Sequence, residues 1–213
     1  MSFRFARKPS LNLSLLHMKQ TELKELFLAF RDQCIWLRCC YNTYLALYES
    51  DDCTKKVLQA SAPVYFGDLN KILIEYVLLQ ICKITDPAES AGHKNLTFEG
   101  VNKVLGEDGL MTNEIAGFSC GLSHYRELVK ESRNKLISHL DRESVLNGLP
   151  IGEHPEEKVT AFFESLQGYV DAVGNAVGVG PLDFRTAAGP GDVLDLIRTL
   201  SGEGGGQSSR KLG

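Results

Sequence analysis

The residues best suited to chemistry fall in one run, Glu131-Ser132-Arg133-Asn134-Lys135-Leu136-Ile137-Ser138-His139-Leu140-Asp141. An imidazole titrates near neutral pH and can accept or donate a proton. A guanidinium stays charged and offers a planar fork to phosphate oxygens. Arg133 and His139 together therefore suit attack of a ribose 2′-hydroxyl on the adjacent phosphate. That reaction needs a proton acceptor and charge stabilisation, and it runs without a metal. Its dependence on the 2′-hydroxyl selects RNA over DNA.

Geometry on a helix frames the idea. Leu122, Tyr125, Val129, Ser132, Leu136 and Leu140 recur at spacings of three and four, which makes one stripe. Taking Leu136 as origin, Arg133 lies at about +60° and His139 at about −60°, roughly 9 Å apart along the axis. Both border the same stripe, but their tips do not meet on one helix. Two such helices crossing about a two-fold axis bring both pairs into one cleft. The plainer alternative is a solvated helix face, with Arg133 paired to a nearby Glu and His139 favoured by the dipole at the helix end. On spacing alone both readings stand.

The elements that must hold this segment read as helices throughout. Leu23, Leu26, Phe27, Phe30, Cys34, Leu37, Tyr41, Tyr44, Leu45 and Tyr48 give a helical pattern over 21–49, with Thr21 as its N-cap. A short helix follows at 54–60. Ser61 is the expected cap of the next helix and Pro63 its first residue. The stretch 64–84 is apolar nearly all round, so it should be central and touched on several sides, and Asp86-Pro87 stops it. After a polar loop at 88–94, Thr97 caps a short helix. Long helices are then expected over 117–139 and 155–177, with a last short one over 193–200. Neither a period-2 run bounded by hairpin signals nor an internal repeat is present. The fold class is all-α: an up-and-down bundle of four to five main helices, as a two-fold dimer. A flexible basic arm is expected over 1–18, one helical domain over 19–201, and a disordered Gly/Ser-rich tail over 202–213.

Composition narrows the function classes. The 213 residues suffice for one domain with its own core, and the net charge of −4 argues against a broad basic surface for non-specific nucleic-acid binding. It leaves room for a small basic cleft assembled by dimerisation. The 6 cysteines form no C-x-x-C pair and sit at no zinc spacing with a His, so reduced, packed thiols are expected and no metal or cofactor. No apolar run is long enough for a membrane span, and the N-terminus lacks the pattern of a secretory signal. A cytoplasmic protein is the expectation.

The segment resembles the motif of the HEPN superfamily, α-helical domains in which an Arg followed by a polar residue precedes a His by a short gap. Arg133-Asn134 and His139 match it. The chain resembles more closely the branch of AbiU-type abortive-infection, or phage-exclusion, proteins. That branch carries in order a Thr-Asp-Pro element ending an apolar helix, an Asn-Leu-Ser/Thr element, and the Arg-Asn-Lys…His helix. Here they are Ile84-Thr85-Asp86-Pro87, Asn95-Leu96-Thr97 and Arg133-Asn134-Lys135 to His139, with order and spacing agreeing over residues 20–170. The resemblance implies a HEPN-like bundle and an endoribonuclease of a toxin–antitoxin or anti-phage system. His139 is then the general base or acid, Arg133 holds the scissile phosphate, and Asn134 orients one of them. Lys135 and Ser138 are the substrate-binding candidates. The implied partners are RNA such as tRNA or mRNA, a second copy, and a cognate antitoxin. Asp141 stands where one toxin branch carries a Tyr that its partner modifies with AMP, so control by that route is not implied. The alternative within the same family is a non-catalytic module that binds RNA, a nucleotide or a protein through the same groove.

Other candidates read as structure. Gly174, Gly178 and Gly180 follow a helix rather than a strand, so they make a C-terminal cap and turn, not a phosphate loop. His17, His93 and His154 are surface residues, and His124 a partly buried helix residue. Trp36 with Tyr41, Tyr44 and Tyr48 can form a stacking platform for bases, but their helical spacing favours bundle packing.

Overall fold

A computed structural model describes residues 11–132, 155–186 and 189–202 of the chain. Among them are seven helices and one two-stranded ladder: α1 (Leu11–Tyr48), α2 (Asp52–Ser61), α3 (Pro63–Thr85), β1 (Glu89–Ser90), β2 (His93–Lys94), α4 (Phe98–Glu107), α5 (Asn113–Ser132), α6 (Glu156–Ala176) and α7 (Val193–Leu200). The fold is all-α, and α1, α3, α5 and α6 are its four long members.

α1 buries Leu23, Phe27, Phe30, Cys34, Leu37, Cys40 and Leu47, one stripe at spacings of three and four. The helix itself starts at Leu11, ten residues ahead of the Thr21 expected as its cap. Thr21 lies inside a continuing helix, because nothing in Leu11–Gln20 forbids helical backbone. α3 runs antiparallel beside α1. Trp36 Nε1 donates to Tyr76 Oη at 2.8 Å, and Tyr48 Oη donates to the Phe66 carbonyl at 2.8 Å.

α3 departs from the expectation of burial on all sides. Its second half packs Val77, Leu78, Ile81, Cys82 and Ile84 into the core, while Val64, Tyr65 and Ile72 of its first half stay exposed. The four-helix core ends before α3 begins. Its start is sheltered by α2 and α7 in a smaller cluster of Leu47, Leu58 and Phe66 with Val193, Ile197 and Leu200. Ser61 is not its cap. It is the last residue of α2, and Ser61 Oγ donates back to the Val57 carbonyl at 2.8 Å, leaving Ala62 as a cap without a side-chain bond.

The turn from α3 to α4 is built by the residues that mark it in sequence. Thr85 is fully buried and donates to the Ile81 carbonyl at 2.7 Å. The expected loop at 88–94 holds a minimal antiparallel hairpin that pairs Glu89 with Lys94 and Ser90 with His93. Ala91 and Gly92 turn it with φ of 49° and 81°. Two-residue strands are too short for any alternation to show in sequence. Asn95 Nδ2 ties the hairpin down, donating to the Pro87 carbonyl at 2.8 Å and to Ser90 Oγ at 3.0 Å. Thr97 Oγ1 then accepts the Gly100 amide at 3.1 Å, which is the N-cap its type and place indicate.

Among the described residues, α5 and α6 make the most extensive helix–helix contact. Phe118 faces Gly168, Gly121 faces Ser165, and Tyr125 packs on Phe162 with ring centroids 4.8 Å apart. These pairs fix an antiparallel register. Glycine permits the close approach at two of them. A methyl group on Gly168 would sit 2.4 Å from the Phe118 ring, and one on Gly121 would sit 2.5 Å from Ser165 Oγ.

One polar pin crosses the interior. Tyr169 Oη donates to Asn102 Oδ1 at 2.9 Å, and Asn102 Nδ2 donates to Ser119 Oγ at 2.9 Å, so α6, α4 and α5 share one satisfied network. Beyond α6 the chain caps with Gly178 and Gly180 at φ of 73° and 75°. It then straps back over α1, where Arg38 Nε and Asn42 Nδ2 both donate to the Arg185 carbonyl, at 3.1 Å and 3.0 Å. α7 follows, with Asp192 as its N-cap.

Two glycines separate space from propensity. Gly168→Ala must displace the Phe118 ring or spread α5 from α6, at a cost of about 1–3 kcal/mol. Gly117 lies in the same hairpin with nothing near its Cα, so Gly117→Ala should raise stability by about 0.5–1 kcal/mol. Urea unfolding followed by circular dichroism measures both. Equal effects in the two variants would show that the close approach carries no weight.

Candidate functional site

The sequence places its chemistry on Arg133, Asn134, Lys135, Ser138 and His139. All five lie outside the described residues, as does His154. The structure describes the frame on either side of them: α5 up to Ser132 and α6 from Glu156.

On α5 the stripe read from sequence is the buried one. Leu122, Tyr125 and Val129 are sealed at 0%, 3% and 1% exposure, while Glu127, Leu128 and Lys130 face out. Arg126 on its flank donates to Glu99 Oε1 at 2.9 Å in a half-buried ion pair, which joins α5 to the first turn of α4. His124 is exposed rather than partly buried. It lies about 100° from Tyr125 around the helix, far enough to leave the buried stripe.

At the end of the bundle where α5 stops and α6 starts, the four long helices line an open cavity of about 450 Å³. Tyr41 and Tyr44 of α1, Glu49 just past its end, Ile74 and Ile81 of α3, Tyr125 of α5, and Glu156 and Val159 of α6 are among its walls. The rings have order. Tyr41 stacks on Phe163 with centroids 4.3 Å apart, and Tyr44 lies near-parallel to Tyr41 at 6.4 Å. Tyr44 Oη donates to Glu49 Oε1 at 2.7 Å, which fixes one carboxylate at the rim. Behind this ledge the Arg38 guanidinium sits 5.0 Å over the Phe163 ring and 5.7 Å over Tyr41.

Burial is the main cause of the high phenol pKa values here. It pushes Tyr125 up to about 12 and, with the bond to Glu49 adding to it, Tyr44 to about 12 as well. Tyr41 is raised by burial too, partly offset by Arg38. At neutral pH these are neutral hydroxyls.

The sequence reading assigned Trp36, Tyr41, Tyr44 and Tyr48 to packing; the Tyr41–Phe163 stack is packed so, whereas Trp36 is exposed. It missed the cavity, and with it Glu49, Tyr125 and Glu156 as a group. They come from separate stretches of the chain, Glu49 just past the end of α1, Tyr125 on α5 and Glu156 at the start of α6, and no sequence spacing links the three. Trp36 is apart from them. It is 52% exposed on the outer side of α1 and is held by Tyr76.

All 6 cysteines are free thiols: Cys34, Cys40 and Cys82 are buried, Cys39 is half-buried, and Cys53 and Cys120 are exposed. No helix among the described residues is long and apolar enough to cross a membrane.

The raised phenols set an alkaline limit on stability. In the unfolded chain a tyrosine ionises near 10, whereas Tyr125 in the fold holds its proton to about 12. Its contribution is complete below the unfolded value and is lost as pH climbs through the folded one. The melting temperature should therefore fall between about pH 10 and pH 12, and fall less in Tyr125→Phe. An identical alkaline slope in wild type and variant, followed by circular dichroism, would remove Tyr125 as a cause.

No curated protein and no solved structure matches the chain. A family model does, the HEPN model described as AbiU2, over residues 20–196. The match spans α1 from residue 20, all of α3, α5 and α6, the hairpin turn with its Thr85 and Asn95 contacts, and the segment between α5 and α6. The chain belongs to the AbiU2 family of HEPN domains, and that membership points to a role in abortive infection or defence.

Proposed function

We propose that the protein is a metal-independent endoribonuclease that acts as a toxin or anti-phage effector, with Arg133 and His139 at its active site. Family membership over residues 20–196 is the observation that carries this reading. It turns a common residue pair into a motif in its expected context. The described frame supports it: α5 presents its buried stripe in the predicted phase as far as Val129, and α6 packs against it.

In this mechanism His139 removes the proton of the ribose 2′-hydroxyl as the oxygen attacks the adjacent phosphorus. The bond to the leaving 5′-oxygen breaks as that oxygen takes a proton from the protonated His139 or from water, and a 2′,3′-cyclic phosphate remains on the upstream fragment. Arg133 stabilises the charge that develops on the non-bridging oxygens. Asn134 orients His139 or the phosphate, and Lys135 and Ser138 contact the substrate. Symmetry mates of the Arg/His pair complete one cleft in a homodimer. A cognate antitoxin restrains the activity, and the protein acts in the cytoplasm on RNA such as tRNA or mRNA.

Purified protein incubated with total RNA in EDTA should cleave it. His139→Ala should slow the reaction by roughly 10²–10⁴-fold, the usual worth of a positioned acid or base. Arg133→Ala should slow it by roughly 10²–10³-fold, comparable to losing one charge-stabilising donor. Undiminished cleavage in both variants rejects the assigned site. Binding of RNA with no turnover in the wild type would favour a non-catalytic module. The shared cleft makes its own prediction: light scattering at micromolar concentration should give the mass of two chains. A strict monomer that still cleaves RNA would confine the site to one copy.

A further inference from the structure

We propose that the cavity between the four long helices binds an organic cation with an aliphatic stem, an alkylguanidinium or alkylammonium group. The chemistry of the walls selects it. Tyr41, Tyr44 and Tyr125 supply aromatic surface, Ile74 and Ile81 aliphatic surface, and Glu49 and Glu156 two carboxylates. Among the described residues no Lys, Arg or His lines it. An anionic ligand finds no counter-charge among those described walls. Glu49 and Glu156 are exposed and stand at the mouth, where a wholly apolar ligand leaves both carboxylates unused. A stemmed cation satisfies both halves, with methylenes against the isoleucines and a charged head among ring faces and carboxylates.

Two further observations point the same way. The aromatic ledge behind the cavity already holds a guanidinium, that of Arg38 over Phe163 and Tyr41 at 5.0 Å and 5.7 Å. And Glu49 is held in place: its Oε1 accepts the Tyr44 hydroxyl at 2.7 Å, and the carboxylate keeps lone pairs for a further donor. A volume of about 450 Å³ is that of a small-ligand pocket. The cation has two natural sources, a free amine such as a polyamine or agmatine, and a basic side chain inserted by a protein partner. Both present the same head group and stem. The inference is independent of RNA cleavage and of Arg133 and His139.

Calorimetric titration of the full chain tests it with four probes: agmatine, spermidine, N-acetyl-arginine amide and its neutral urea isostere N-acetyl-citrulline amide. The cations should bind and the citrulline compound should not. Glu49→Gln and Glu156→Gln should each weaken binding roughly fivefold or more, as expected for a charge contact beside aromatic faces. A second readout needs no variant. A bound cation favours tyrosinate, so agmatine should move the alkaline absorbance titration of the tyrosines to lower pH. Preference for agmatine or spermidine identifies a free amine, and preference for the arginine amide identifies a partner side chain. Either outcome supports the proposal. Equal binding of the citrulline and arginine compounds overturns it, as does unchanged affinity in both Glu variants or an unmoved titration with no heat at millimolar agmatine.

Discussion

The approach of α5 to α6 is the contact on which the rest of the molecule depends. Gly168 lets the Phe118 ring lie where a methyl would be, and Gly121 does the same for Ser165. Helices that touch through missing side chains cannot slide, because a shift of one residue brings a side chain into the gap. The register is thereby fixed along the whole hairpin, and Tyr125 is delivered onto Phe162. The arms of this hairpin are the two supports of the segment that carries Arg133 and His139. The proposed mechanism asks two groups to act on one phosphate and so tolerates little displacement, which gives the fixed register of the supports a worth that propensity alone does not supply.

A second constraint is polar. Tyr169 is fully buried, and its hydroxyl can be accommodated only because Asn102 and the Phe98 carbonyl accept it. Asn102 in turn requires Ser119. The chain thus specifies how α4, α5 and α6 meet at one point, where apolar packing by itself allows several rotations. The Thr85, Asn95 and Thr97 bonds perform the same office for the turn from α3 to α4. Their residues are those by which the sequence resembles its family, so the most recognisable elements of the chain outside the Arg/His segment are structural.

What could be read from the sequence follows from how local each cause is. α6 and α7 were legible to within a residue, since Phe162, Phe163, Leu166, Tyr169 and Val170 give an unbroken helical stripe and the Gly189–Asp192 turn marks the start of α7. Thr97 was legible for the same reason. The start of α1 was not, because Thr21 is a good cap by type and the competing helix upstream carries no signal that cancels it. Ser61 failed likewise: its hydroxyl found the Val57 carbonyl instead of the next helix. The exposure of Val64, Tyr65 and Ile72 depends on where the four-helix core ends, which no window of sequence contains. The cavity was illegible for the strongest reason. Its tyrosines and glutamates come from positions more than a hundred residues apart and acquire a common purpose only through the register of the bundle.

Charge sets the terms on which such a protein can meet RNA. A net charge of −4 provides no long-range attraction for a polyanion, and the described end of the bundle adds Glu49, Glu156 and Glu157 to that balance. Binding of the kind that follows a broad basic surface is therefore closed to this chain. The proposed cleavage rests on short-range contacts, a guanidinium to phosphate oxygens and an imidazole to a hydroxyl, each strong only where water is excluded. In the proposed dimer, two copies of the Arg133/His139 segment double the local cations and shield them at once. An acidic nuclease of the proposed design gains selectivity from its weakness: RNA that does not fit the cleft has little else to hold it.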